Sequence, residues 1–553
     1  MSNNTTTKKI NTAKLLKSIF SLVMVLSILV GCSMMFVGCS QTGKGDETQP
    51  AGGSKHDPAE YEGLNDEEYA QKLAYNYLGD AVSALTKGYN AYTGVMGSTS
   101  GGMKVGVTLT VGDSVLDMLE EITAGSMSMK FLSKITMDMT VGTKDQLTSI
   151  DMDLGLNSKK IATVKMITDI ANYAIYMGVP EISDAYVKMD MADAMGSSGV
   201  DMSAQGMAAN AAKFVEALPS GEKLETLLKG YLELAVKEMD KVERTTVKQE
   251  LSGLKQDQNE VTVKLYQEDL LDMAKAILKK AENDADIKQI VTDVVKAAAE
   301  MTGETIDEDE VYAQFQDGVK NALEMVEASY EDLDTENYIE LKIYTDSNHY
   351  VVGVVASMPG ENSAGIDYIS VTEGEKTAMQ LAVNGYAVTD GYGNPVSSSE
   401  PVLEIAGEGT VKSGKTTGTY TVEVQGEKML TVETKNLDAN GGTITLKPTE
   451  DVLNSLGGAD LPFEDLALEI TLDDGELELN VLSGKEKLLG IALEAKESSA
   501  GTIKLPANYV DGTDSNALME WVSNARFNTL INNLKSAGVP SELTDMLEMY
   551  IGG

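Results

Sequence analysis

Histidine, cysteine and tryptophan are nearly missing from this chain, and each shortage removes a class of chemistry. There are two histidines, His56 and His349, in 553 residues. No His/Cys cluster can form a zinc site. A Ser-His-Asp triad would have to use His349, which follows "TDSN" in what reads as a turn between strands, with no serine or acid singled out for it. The two cysteines, Cys32 and Cys39, both lie near the N-terminus. The body therefore has no internal disulfide and must be held by its core. One tryptophan and seven phenylalanines supply little for a sugar-stacking cleft, so Val, Leu, Ile, Ala and 29 Met fill the interior. Basic residues are also scarce: 44 Lys and Arg against 86 Asp and Glu give a formal charge of −42. Such a surface repels nucleic acid and anionic envelope polymers. Solubility is the plain use of that charge, and loose collection of divalent cations the sharper one.

What is present begins with the N-terminus. Lys8, Lys9, Lys14 and Lys17 precede an uncharged run from Ser18 to Gly43 centred on "SIFSLVMVLSILVGC", the build of an export signal. The run contains "LVGC" (Leu29 to Cys32) and "FVGC" (Phe36 to Cys39). These tetrapeptides resemble the lipobox of bacterial surface lipoproteins of Gram-positive type, which carry a type II signal peptide. The resemblance implies cleavage before Cys32 (alternatively Cys39) and a diacylglycerol-bearing, palmitate-type lipid on its thiol. It also implies an anchor at the extracytoplasmic face of the cell membrane. Phe36 departs from the usual Leu, whereas Cys32 is followed by apolar "SMMFV"; the first site is preferred. The alternative is an uncleaved signal anchor, since the run is long enough to span a bilayer.

Composition then divides the chain. Residues 1–31 are expected as signal peptide and 32–63 as lipid anchor and tether. The Gly-, Pro- and charge-rich stretch "SQTGKGDETQPAGGSKHDPAEYEG" has a reach of about 25–30 Å. Residues 64–336 are expected as helix, antiparallel sheet and a helical insertion, and 337–553 as antiparallel sheet with C-terminal helices. Tyr69, Leu73, Tyr77, Ala81 and Leu85 recur every four residues and predict a helix over 65–90. Period-two alternation predicts strands in "MKVGVTLTV", "ITMDMTV" and "IDMDLGL", and two more within 173–191. Apolar stripes such as Ile287, Ile290, Val291, Val294 and Val295 make the middle helical, with "VTVKLY" (Val261 to Tyr266) as a single strand among helices. After residue 337 hairpins return, clearest around Leu466, Leu468, Ile470 and Leu472, turning at Asp474-Gly475 into Leu477, Leu479 and Val481. The predicted fold class is α+β: large curved antiparallel sheets packed against amphipathic helices, with two related halves as an option. That build is similar in architecture alone to LolA-type lipoprotein carriers, where a half-barrel and covering helices enclose an apolar groove; no motif supports the comparison beyond fold analogy.

Several short patterns carry chemistry on paper. "GTVKSGKT" (Gly409 to Thr416) matches the nucleotide-binding G-x-x-x-x-G-K-[ST] string. That loop must leave a strand and open a helix. Here Tyr420, Val422 and Val424 alternate with polar residues, so Ser413-Gly414 is predicted as a hairpin tip with no nucleotide. "DEDE" (Asp307 to Glu310) sits where acids complement a helix dipole. "DANGG" (Asp438 to Gly442) has its glycines too early for a calcium loop and reads as a turn. No metal and no cofactor is expected.

Methionine is the remaining signal. Met-x-Met pairs occur at Met127/Met129, Met137/Met139 and Met189/Met191. Thioethers bind Cu(I), but residues i and i+2 of a strand share a face, so each pair fits a buried stripe as well. A third reading has Met137, Met139, Met152, Met189 and Met191 lining an adaptable apolar groove. Three functions follow: a non-enzymatic lipoprotein binding a lipid or other apolar or amphipathic ligand; a structural or partner-docking surface protein; or a hydrolase whose acids are not identified.

Overall fold

The computed structural model describes residues 56 to 552 except 191–216 and the shorter stretches 98–100, 123–126, 145–146, 170, 173, 303–306, 359–363, 390–394, 398–400, 439–440, 456–462, 464, 474–475 and 499–500. Cys32, Cys39, most of the expected tether and Met191 lie outside the described residues. The strands are β1 Gly101–Val111, β2 Lys134–Lys144, β3 Leu147–Leu156, β4 Lys159–Asp169, β5 Ala174–Gly178, β6 Tyr186–Asp190, β7 Val242–Leu251, β8 Leu254–Tyr266, β9 Tyr338–Thr345, β10 Val351–Ser357, β11 Gly365–Glu373, β12 Lys376–Asn384, β13 Tyr386–Thr389, β14 Pro395–Ser397, β15 Leu403–Lys412, β16 Lys415–Val424, β17 Glu427–Asp438, β18 Gly441–Pro448, β19 Leu466–Asp473, β20 Glu476–Ser483, β21 Glu486–Ser498 and β22 Tyr509–Asp511. The α-helices are α1 Asp66–Gly97, α2 Asp113–Ile122, α3 Gly221–Lys237, α4 Gln267–Glu282, α5 Ala285–Thr302, α6 Glu308–Ser329, α7 Glu450–Ser455, α8 Ser515–Ser523, α9 Phe527–Ser536 and α10 Ser541–Gly552. The α+β class is thus as expected. None of the described helices is long and apolar enough to cross a membrane.

The chain divides into two units, but not at the expected break near residue 336. Unit 1 holds residues up to 92, most of 217–444 and 448–459; unit 2 holds 93–216, 445–447 and 460–553. The early strands therefore join the last ones, and the middle of the chain forms a body of its own. The period-two signal is the same in both places, so alternation alone carries no information about which strands become neighbours.

In unit 1 the strands run antiparallel in the order β7-β8-β9-β10-β11-β12-β15-β16-β17. Residues 242–251, expected within the helical middle, form β7. It is the outer arm of a hairpin on β8 whose tip is Ser252-Gly253, both at positive φ. "VERTTVKQEL" alternates only faintly, with polar or charged residues on both faces, so its period of two is weak. β8 outruns β9 at one end and curls back toward β11. Gln258 donates from Nε2 to the Ser370 carbonyl at 2.9 Å, and Gln256 Oε1 accepts from Thr372 N at 3.0 Å. Side-chain amides thus continue the ladder where no strand intervenes.

The unit 1 core lies where α1 crosses this sheet. Tyr69 and Leu73 are 0% and 2% exposed, packed with Val261 and Val263 of β8, Ile343 of β9 and Val351. The stripe then fails: Leu85 is 72% exposed. A spacing of four drifts against 3.6 residues per turn, and by the sixth turn Thr86 faces inward instead, its hydroxyl bonded to the Val82 carbonyl and to Glu225 of α3. Asp307 caps α6, accepting from the amides of Asp309 and Glu310, as first-turn acids should.

Gly409 to Thr416 forms the β15–β16 hairpin, with Lys412 opposite Lys415 and Ser413 and Gly414 at φ +50° and +76°. A strand, not a helix, follows the turn, so backbone amides cannot converge on a phosphate. Lys415→Ala is expected to change stability by less than about 0.5 kcal/mol. Leu73→Ala, which empties a sealed site, should cost about 2–5 kcal/mol. Denaturant unfolding of the two variants, with calorimetric titration of ATP against the first, checks both.

Candidate functional site

In unit 2 the strands run β19-β20-β21-β1-β2-β3-β4-β5-β6, all antiparallel, with β22 added parallel to β6. Tight turns set the register: Asn157 and Ser158, both at positive φ, join β3 to β4, a conformation that keeps two twisted strands paired. Because side chains alternate, one register gathers most apolar residues of β1, β2 and β3 on one face. The cross-strand rows show it. One reads Ala495, Val105, Met139, Met152, Val164. The next reads Leu493, Val107, Met137, Leu154, Ala162. A third reads Met103, Val141, Ile150, Met166, Met177, Val187, and a fourth Leu479, Ile491, Leu109, Ile135, Leu156. Met189 stands opposite Ile175 on the same side. Met137, Met139, Met152 and Met189 therefore share one face.

The opposite face is polar over β2 and β3, whereas over β4 to β6 it carries buried Ile167 and Tyr176, packed with Tyr186 and Ile503. Lys165 pairs with Asp151 at 3.4 Å and Lys160 with Asp153 at 2.8 Å. Thr163 donates to Asp153 at 2.7 Å.

The apolar face is not sealed, contrary to the expectation that helices cover it. Apart from Ala162, none of the row residues is fully buried; Leu154, Met177 and Leu493 are 36%, 39% and 36% exposed. Cover exists at one corner, where Leu530 and Leu534 of α9 with Ala537 pack on Leu156, Ile161 and Ala162. Asn157 fixes that corner, its Nδ2 donating to the Ala537 carbonyl at 2.9 Å. The methionines are thus neither core nor a closed cavity, but an open sheet surface. The rows carry no aromatic ring, and the register continues two of them into charged positions, Glu497 opposite Met103 and Lys159 opposite Leu156.

Unit 1 holds a second candidate that the sequence did not suggest. Both histidines of the chain line one small pocket with Tyr61, Asn76, Tyr77 and Tyr350. His56, expected in the tether, lies against α1 with Nε2 3.0 Å from Asp80. The stretch after it folds as a 3₁₀ turn, Pro58–Tyr61, capped by Asp57. His349 sits in the β9–β10 turn, as expected, at φ +63°, where a non-glycine residue is strained. Its ring stacks on Tyr61 (centroids 4.9 Å apart), and Nδ1 lies 2.8 Å from the Tyr69 hydroxyl, which also meets Thr345 at 3.1 Å. Asn76 donates to the Tyr61 hydroxyl at 2.9 Å. The strain is accepted for these contacts: the side chain ties the segment around Tyr61 to the sheet.

Catalytic use of this cluster is not supported by its geometry. Asp346, the nearest acid, spends its carboxylate on the amides of Asn348 and Tyr350, and His349 faces a tyrosine rather than a serine. The pocket has room for about one water molecule. Among the described residues no three His, Cys, Asp or Glu side chains gather as a metal site.

No family model matches the chain, and no curated protein matches it. Among solved structures, one titled "The Structure of Intact Ap-TbpB (N and C lobes)" aligns with 72% of this chain and 77% of that chain at 9% identity. Its TM-score is 0.10, too low to carry any conclusion about fold or function.

Burial, with the Arg244 guanidinium nearby, holds the His349 pKa below its ordinary value despite the opposing pull of Asp346 and Glu62. The unfolded chain, titrating near the usual value of about 6.5, then binds the proton first. His349's contribution to stability is complete above that pH and is lost as pH falls toward the lower folded value. Asp346, raised by burial, has the opposite sign, since the folded state takes its proton first as pH falls toward the ordinary carboxylate range. Unfolding of wild type and His349→Asn between pH 7.5 and 5.5 should show a steeper loss of stability in wild type. The difference cancels His56, and equal slopes would mean the effect lies elsewhere.

Proposed function

We propose that the chain is a lipid-anchored extracytoplasmic surface protein, without enzymatic activity, that binds an apolar or amphipathic ligand on the open face of unit 2. One observation carries this reading: a ring-free sheet face, apolar along its central rows, spans nine strands and stays partly open. Monomeric soluble proteins rarely leave contiguous apolar patches beyond a few hundred Å², so a face of this extent is built to be covered by something. The lipobox-like "LVGC" at Leu29 to Cys32 supports the address.

Two experiments test the two parts. Labelling with a fatty-acid analogue should tag the protein, with the label lost when Cys32 and Cys39 are both replaced by Ala; Cys32→Ala alone should have the larger single effect. Persistent label in the double variant removes the anchor. For the face, Met137→Ala, Met139→Ala and Met152→Ala should each cost about 1 kcal/mol or less, as half-open positions do. Sealed methionines would cost about 2–5 kcal/mol. Native mass spectrometry of protein taken from membranes should show a bound apolar ligand that these variants weaken. Core-sized losses with no ligand would leave a scaffold or docking protein.

A further inference from the structure

Resting on that reading, we infer that the open face of unit 2 takes the hydrocarbon chains of a multi-chain lipid, laid across strands β21, β1, β2 and β3, rather than a ring-bearing compound or a second copy of the protein. Three observations converge on it.

The first is chemical. Rings are recognised by offset or edge-on aromatic stacking, and polar ligands by a few fixed donors and acceptors. The central rows around Met139, Met152, Met137 and Leu154 offer neither. They offer only branched aliphatic side chains and unbranched thioethers, which adapt to a flexible chain without fixing a shape.

The second is size. Eight inter-strand steps of about 4.8 Å separate β19 from β6, giving a width of about 40 Å. One acyl chain is about 15 Å long, half of a 30 Å hydrocarbon core, and covers about three strands. A single-chain amphiphile would leave most of the face wet; two or more chains side by side would dry it.

The third weighs against self-association. The plan area, roughly 800 Å² from these spacings, would suit one side of a stable protein interface. Interface cores, however, draw their energy from Trp, Tyr and Arg anchors, which the rows lack. Each copy also brings a formal charge of −42, so two copies repel on approach.

The test uses full-length protein purified from membranes and delipidated. Three probes are titrated: dipalmitoyl phosphatidylglycerol, the matching single-chain lysolipid, and anilinonaphthalene sulfonate as a ring compound. The diacyl lipid is expected to bind at least about tenfold more tightly than either of the others. Met139→Gln combined with Met152→Gln puts two amides on adjacent strands of the face and should weaken diacyl binding by about tenfold or more. Met139→Leu with Met152→Leu keeps the face apolar and should leave binding within about threefold, which separates lost chemistry from lost folding. Thr140→Gln, on the opposite face of β2, should change nothing. Equal or tighter binding of the lysolipid or the ring compound would sink the multi-chain inference while the apolar-ligand reading survives. Diacyl binding untouched by the Gln pair would place the lipid elsewhere and overturn both. No binding by any probe also overturns both, whether sedimentation finds a monomer or a dimer that the Gln pair dissociates.

Discussion

Strand alternation is the constraint on which unit 2 depends. With a side-chain period of two, a slip of one residue in any pairing would turn a whole strand's apolar set into water and bring its charges to the other side. Nine successive strands keep the same parity along their central rows, from Leu468 and Ile470 on β19 to Val187 and Met189 on β6, with register shifts at Val481/Leu482 and Leu154/Gly155. The turns that fix that parity are local, as at Asn157-Ser158 and Gly484. The polar face contributes by cross-strand pairs such as Lys165–Asp151, which are worth little each in water but oppose the slipped register. The consequence is an apolar surface wider than the helices available to it. α9 seals one corner, and the remaining rows stay partly exposed.

Unit 1 resolves the same problem differently. Its helices are long, and α1 lies directly over β8, so Val261 and Val263 are completely buried under Tyr69 and Leu73. The Arg244 guanidinium, 4.6 Å from the Tyr69 ring centroid and paired with Asp66 at 3.2 Å, closes the edge of that contact. Tyr69 links the core to the surface: its ring is packed inside while its hydroxyl reaches Thr345 and His349. A chain with so few aromatics places three of them, Tyr61, Tyr69 and Tyr77, around one point on α1.

Much of this was legible from sequence because it is local. The strands at Met103–Val111, Ile135–Val141 and Ile150–Leu156 alternate so cleanly that their shared face could be anticipated, and Ser413-Gly414 behaves as a turn pair should. What the sequence withheld is non-local. Nothing in "LALEITL" says that its sheet is completed by strands more than three hundred residues earlier, because pairing partners leave no mark on period or composition. β7 was hidden by weak contrast between its faces. The stripe that ends at Leu85 predicts the helix but not the burial of its far end, because a spacing of four drifts off one face over 32 residues. The openness of the methionine face was also invisible, since alternation marks a side as apolar without saying what lies over it.

The two histidines show how far scarcity can mislead. Their small number argues against histidine chemistry but says nothing about where the two side chains meet. Their meeting in one pocket could not come from spacing, since 292 positions separate them in the chain. A signal was nevertheless present at His349. A two-strand turn reading "TDSNHY" calls for glycine or asparagine at its left-handed position, and a histidine there at φ +63° is a local conflict that only a tertiary contact can resolve. The stack on Tyr61 and the bond to Tyr69 are that contact. Conflicts between local preference and observed residue are therefore more informative in this chain than motif matches. "GTVKSGKT" satisfied a pattern and formed an ordinary hairpin, whereas one strained residue marked the place where the segment around Tyr61 is fastened to the sheet.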